Sequence, residues 1–213
     1  MSESIRHHYA KELGDRRLES DFNFDHLPIL VIGLGNPILG DDGVGWRVAE
    51  RVKTDLLESE HTEDVKHPDL LQCNFPILVI NTSYSAPIEI DCLSLGGLSL
   101  MERLIGYDRV IIIDAITTQQ NPPGFVFHFP LEKIPKRASG HLSAAHDTTL
   151  QNAIDMGRSL GAKLPNEIMI VAIEAKINYD FTEQLTSAVD AAVPNAAQEV
   201  LQLISEWDKK VVC

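Results

Sequence analysis

Hydrophobic residues along this chain follow two alternating rhythms. "HLPILVIGLGN" holds an unbroken apolar run from Ile29 to Ile32, closed by Gly33 and Gly35. A run apolar on both faces suits a central parallel strand covered from both sides. From about Gly43 the period changes. Val44, Val48, Ala49, Val52 and Leu56 recur at three- and four-residue spacing, the stripe of an amphipathic helix.

The alternation continues down the chain. "PILVINTSY" and "PIEIDCL" are short β-like runs, of which one or both join a sheet, and "LSLMERLIG" reads as a helix. "DRVIIIDAI" is a buried strand through Val110 to Ile113 that ends in Asp114, and "GFVFHF" alternates like an edge strand. "SAAHDTTLQNAIDMGRSLG" has helical spacing through Leu150, Ile154 and Leu160. "EIMIVAIEA" is a last buried strand, and residues 182–207 are expected to form a closing helix ending near Trp207. Strands alternating with helices predict an α/β sandwich around a mainly parallel sheet. The pattern does not order the strands. Residues 1–27 are polar and aperiodic, an extension before a single domain at 28–208, and the charged stretch 58–69 opens a surface excursion that lasts to about residue 86.

Composition narrows the class. A chain of 213 residues with 44% hydrophobic content supports one well-buried core. No run approaches the roughly 18 apolar residues of a membrane span, and "MSESIRHHYAKELGDRRLES" lacks a signal-peptide core. Cys73, Cys92 and Cys213 are odd in number and show no CxxC or zinc spacing, which points to reduced thiols in a cytoplasmic protein. The formal charge of −13 argues against nucleic acid or an anionic membrane as partner.

The turn "GLGNPILGDDGVG" is where chemistry enters. Glycine-rich turns between strand and helix commonly hold phosphates at the helix N-terminus. Here Asp41 and Asp42 already place two carboxylates there. An anion brought to 4 Å of one carboxylate costs about 4 kcal/mol at an effective dielectric near 20. The turn spells no GxGxxG and is followed by no P-loop lysine, so a nucleotide site is disfavoured. Two readings stay open: both aspartates are caps and solvent-facing turn residues, or they join a cation site. Asp114, at the end of its strand, either bonds a neighbouring loop or faces the same crevice. His146 lies four residues before Leu150 and eight before Ile154, which a helix would place on their buried face near its N-terminal end. It is either a core histidine or a ligand, with His141 nearby in a Gly/Ser-flanked loop. Two carboxylates and one imidazole make an oxygen/nitrogen set suited to Ni²⁺, Zn²⁺ or Mn²⁺ with positions left open.

These residues resemble a known family, the [NiFe]-hydrogenase maturation endopeptidases. "VIGLGNPILGDDGVG" resembles the family's opening strand and acidic turn, "VIIIDAI" its strand with terminal aspartate, "SAAHDTTLQNAI" its histidine helix start, and "EQLTSAVDAAVPNAAQEVL" its closing helix. Together they span residues 28–204. The resemblance implies a compact three-layer α/β/α sandwich with a twisted, mainly parallel sheet of about five strands, acting as a cytoplasmic monomer. It implies an endopeptidase that removes a C-terminal peptide from the hydrogenase large-subunit precursor after nickel insertion. Asp42, Asp114 and His146 are then the metal-contacting and catalytic positions. The nickel is supplied by the precursor and not permanently bound, and Cd²⁺ or Zn²⁺ could substitute for it. Asp91 and Asn36 are the candidates for substrate recognition. The family tends to an Asp-Gly-Gly-Thr turn after its second strand, whereas this chain reads "DCLSLGGLS", with the glycines displaced from Asp91.

Two other readings compete. Peptidyl-tRNA hydrolases also end their first strand in Gly-Leu-Gly-Asn-Pro, but they continue with an Arg-His-Asn signature and bind tRNA through a basic surface. A nickel-binding chaperone that docks on the precursor without cutting it is the non-enzymatic alternative.

Overall fold

The structure, a computed structural model, describes residues 28–59, 78–80, 84–134, 149–176 and 181–211. Six strands form one sheet: β1 (Ile29–Leu34), β2 (Leu78–Ile80), β3 (Ile88–Leu93), β4 (Arg109–Ile116), β5 (Val126–Pro130) and β6 (Glu167–Glu174). Their order is β2-β3-β1-β4-β6-β5. The inner four are parallel to one another, whereas β2 and β5 lie antiparallel on the two edges. Both β-like runs before residue 94 therefore join the sheet, and "GFVFHF" is the edge strand its alternation predicted. The count exceeds the expected five by β2, three residues set within the charged excursion.

Among the described residues, five α-helices accompany the sheet: α1 (Val44–Ser59), α2 (Gly97–Arg103), α3 (Leu150–Ser159), α4 (Ser187–Asp190) and α5 (Val193–Val211). Strand alternation sorts the core into two halves. Ile29, Val31, Ile111, Ile113, Val171 and Ile173 face α1, α4 and α5, which cover them with Val48, Val52, Val189, Val200, Ile204 and Trp207. Leu30, Ile32, Val110, Ile112, Ile168 and Ile170 face α2 and α3, and meet Leu100, Met101, Ala153 and Ile154. This is the three-layer α/β/α sandwich. The predicted stripe of α1 is buried at every one of its five positions.

Three boundaries depart from the sequence reading. Asp114 does not end its strand, because β4 pairs with β6 as far as Ile116↔Glu174 although its pairing with β1 stops at Gly33↔Ile113. α3 begins at Leu150, because Thr149 has an extended ψ of 151° and its side chain accepts the Asn152 N–H. That cap starts the helix four residues after His146, which lies outside the described residues, as do His141 and residues 1–27. The closing helix is broken and late. Thr182 is drawn into backbone hydrogen bonds with Ile38 and Gly40, α4 takes one short turn, and α5 starts afresh at Val193. Pro194, which has no N–H, is tolerated in that first turn.

Candidate active site

β1 and its neighbours send their connections to opposite faces of the sheet. The chain leaves β1 for α1 on one face, leaves β3 for α2 on the other, and leaves β4 through β5 for α3, also on that second face. Such a switch opens a crevice at the carboxyl ends of the strands. Asp41 and Asp42 stand there, in a single 3-10 turn at Gly40–Gly43 that packs against β4.

Close backbone approach accounts for the glycines. Gly35 has φ +135°, and a Cβ there would collide with the Asp42 carbonyl oxygen. On Gly45, a Cβ would run into the carbonyl oxygens of Leu34 and Ile113. The glycines thus press the start of α1 onto the ends of β1 and β4. β3 ties the turn from its other side: the Gly35 N–H and the Trp46 indole N–H both donate to the Leu93 carbonyl, and the Ser94 hydroxyl donates to the Gly35 carbonyl at 2.6 Å.

The two adjacent aspartates have different surroundings. Asp41 is 7% exposed, and its carboxylate accepts from Thr186, the backbone N–H at 2.6 Å and the hydroxyl at 2.9 Å. It latches the turn to the residue that precedes α4. Asp42 is half-buried, and its Oδ2 accepts the Asn36 N–H at 2.8 Å. Asn36 in turn folds the loop locally, its Oδ1 accepting from Ile38 N–H and its carbonyl from Leu39 N–H.

Asp114 is 2% exposed. It lies one residue past the last β1–β4 pair, opposite Ala172 on β6, on the α2/α3 side of the sheet by its parity with Ile112. The structure thus brings Asp42 and Asp114 to one edge, from a turn and a strand that touch. Among the described residues no group of three or more His, Cys, Asp or Glu is arranged to hold a metal ion.

Asp91 has a different setting. It pairs with Ile32 in register and accepts from Arg103 Nε at 2.9 Å. The same guanidinium bonds Glu89, which is fully buried, and donates to the Tyr107 hydroxyl at 2.9 Å; that hydroxyl donates to Glu89 at 2.6 Å. Burial opposes the charge on Arg103, but its contacts with Tyr107, Glu89 and Asp91 outweigh that and hold its pKa above the ordinary value. Asp91 therefore fastens α2 to β3. The displaced glycines of "DCLSLGGLS" form the start of α2, with Gly96 as its N-cap.

Two residues absent from the sequence reading are prominent here. Thr186 carries an N-cap signal before "SAVD", and Glu174 ends an apolar strand just as "VIIID" was read to end in Asp114. Glu174 is 2% exposed, with its carboxylate turned toward the β4–β5 loop.

Comparison with known proteins adds to this geometry. A family model described as hydrogenase maturation protease matches residues 93–203, a span that contains Asp114 and His146. A Hydrogenase 2 maturation protease from Escherichia coli K12 is 24% identical over 178 residues, covering 84% of this chain and 91% of its own length. A Hydrogenase expression/formation protein HupD from Rhizobium leguminosarum is 22% identical over 181 residues, covering 84% of this chain and 75% of its own. Among solved structures, the hydrogenase maturating endopeptidase HybD of E. coli superposes with a TM-score of 0.56 at 21% identity, over 84% of this chain and 93% of that one. The sandwich is therefore the fold of that endopeptidase, and with the family model spanning just over half of its length, this chain belongs to the hydrogenase maturation proteases, a family of peptidases.

Proposed function

We propose that the chain is the endopeptidase that removes a C-terminal peptide from the large-subunit precursor of a [NiFe]-hydrogenase after nickel has been inserted, acting as a monomer in the cytoplasm. What supports this reading most is that Asp42 and Asp114 stand at the carboxyl ends of β1 and β4, on a turn and a strand in mutual contact. The relatives' names give the substrate class, because those proteins are maturation proteases of hydrogenases.

In this reading nickel arrives as part of the substrate. Two carboxylates and the imidazole of His146 form an oxygen/nitrogen set that accepts a borderline divalent ion and leaves positions for the precursor's own ligands. Contact with the ion fixes the precursor's C-terminal segment in the crevice, so the scissile bond meets the carboxylates at high effective concentration. Asn36 supports recognition through its N–H bond to Asp42. Asp91 supports it through the α2 anchor.

The test is a set of single variants assayed on nickel-loaded precursor by mass spectrometry. Asp42→Ala, Asp114→Ala and His146→Ala should each abolish C-terminal shortening while the far-UV spectrum stays that of a folded protein. A titration with Cd²⁺, Zn²⁺ or Ni²⁺ should show a saturable site that these variants lose. Folded variants that still cleave at the wild-type rate contradict the assignment.

A further inference from the structure

Glu174 binds both ends of the loop that follows Asp114. At the near end its carboxylate accepts from Thr118 N–H at 2.7 Å, the Thr118 hydroxyl at 2.5 Å and Gln119 N–H at 2.9 Å. At the far end its backbone carbonyl accepts from Gly124 N–H at 2.8 Å, and its own N–H donates to Phe125 at 2.9 Å. One buried residue therefore closes the loop from Thr118 to Gly124. Thr117 adds a bond to the Ala175 carbonyl at 2.7 Å, and Thr118 Oγ1 accepts from Gln120 N–H.

The side chains this loop presents suit a peptide partner. Gln119, Gln120 and Phe125 are exposed, although Gln119 is held at φ +60°, where a non-glycine residue is uncommon. A primary amide offers a donor and an acceptor together, the complement of a peptide group, and an exposed phenylalanine offers an apolar seat. The loop also touches the acidic turn indirectly. Gly124 lies so close to the Ala188 carbonyl that a Cβ would collide with it, and Ala188 belongs to α4, whose preceding residue Thr186 is latched to Asp41.

We infer that the Thr118–Phe125 loop is the substrate-peptide recognition loop of this protease, and that Glu174 is its positioning residue. The inference rests on the proposed cleavage of a precursor peptide in the crevice beside Asp114. Glu174 carries out no chemistry: its carboxylate is occupied by the loop's own donors, and it sets the fraction of molecules in which the loop is ready to bind. Apparent affinity scales with that fraction.

The experiment measures both precursor binding and turnover. Dissociation constants for nickel-loaded precursor are taken by biolayer interferometry, and kcat by mass spectrometry. Releasing the near end in Glu174→Ala, so that about one molecule in ten keeps the loop in place, raises Kd about tenfold, and kcat at saturation stays within about twofold. Glu174→Gln keeps an acceptor for the two backbone N–H groups and an amide for the Thr118 hydroxyl, so it restores Kd to within about threefold of wild type. Gln119→Ala/Gln120→Ala alters only exposed side chains and raises Kd with no change in melting temperature. Loss of kcat with Kd unchanged in Glu174→Ala overturns the inference, as does a Gln variant as weak as the Ala variant, or a double glutamine variant that binds like wild type. Wild-type protein that binds precursor without cutting it overturns the protease reading instead, and the Kd comparison still decides the loop.

Discussion

Asp41 and Asp42 are adjacent and chemically identical, yet the structure gives them opposite fates under mutation. Asp41→Ala removes a nearly buried carboxylate that accepts two charge-assisted hydrogen bonds from Thr186. Thr186 is exposed, so water takes over its donors and no buried group is left orphaned. The loss is then about 2–4 kcal/mol. For a chain of this size that lowers the melting temperature by roughly 5–10 °C. Asp42→Ala removes a half-buried carboxylate and a single charge-assisted bond from a backbone N–H, that of Asn36, which costs about 1.5 kcal/mol and roughly 3–6 °C. Activity reverses the order. Below both melting transitions, Asp41→Ala retains measurable cleavage because Asp42 and Asp114 are still in place, whereas Asp42→Ala has none. Calorimetric melts and the precursor assay on the same preparations give all four values. If Asp42→Ala melts lower than Asp41→Ala, or if Asp41→Ala alone abolishes cleavage, the division of labour in the turn is wrong.

Two further predictions concern the frame around the site. Arg103→Ala leaves the fully buried Glu89 without its guanidinium and should destabilise the protein by about 3–5 kcal/mol in urea unfolding; an unchanged midpoint would show that the pair contributes nothing. Tyr84 is held above its ordinary pKa of 10.0 by burial first and by the charge of Asp208 second. The unfolded phenol loses its proton near that value while the folded one keeps it, so stability falls as pH rises through and beyond it. Absorbance at the phenolate band should show a late-titrating component that moves earlier in Asp208→Asn, and an unmoved titration refutes the assignment.

Much of the architecture was legible because strands buried on both faces and a helix buried on one leave distinct periods. Val44 through Leu56 announced α1, and "VIIID" announced β4. Contacts between distant segments were not legible. Nothing in local spacing says that Thr186 binds Asp41, across 145 residues, or that Thr182 bonds the backbone of Ile38 and Gly40 instead of entering the closing helix. Asp114 was placed at a strand end because its apolar run stops there, but strand length is decided by the partner, and β6 pairs two residues further. The acidic turn is legible as a tight link between β1 and α1, and the structure has it there, at the carboxyl edge of the sheet. Asp91 gives no sign in the sequence of its partner, because the Arg103 that binds it comes from α2, twelve residues on. Glu174 escaped notice for the same reason: its loop partners lie 55 and 56 residues away.

Under the proposed function, a hydrogenase precursor is cut only once it carries nickel. The direct measurement incubates the purified protein with one precursor prepared in nickel-loaded and nickel-free forms and records the intact mass of each over time. The loaded form alone should lose its C-terminal peptide, at a rate abolished by Asp42→Ala. Equal shortening of both forms, or none of either, contradicts the proposed function.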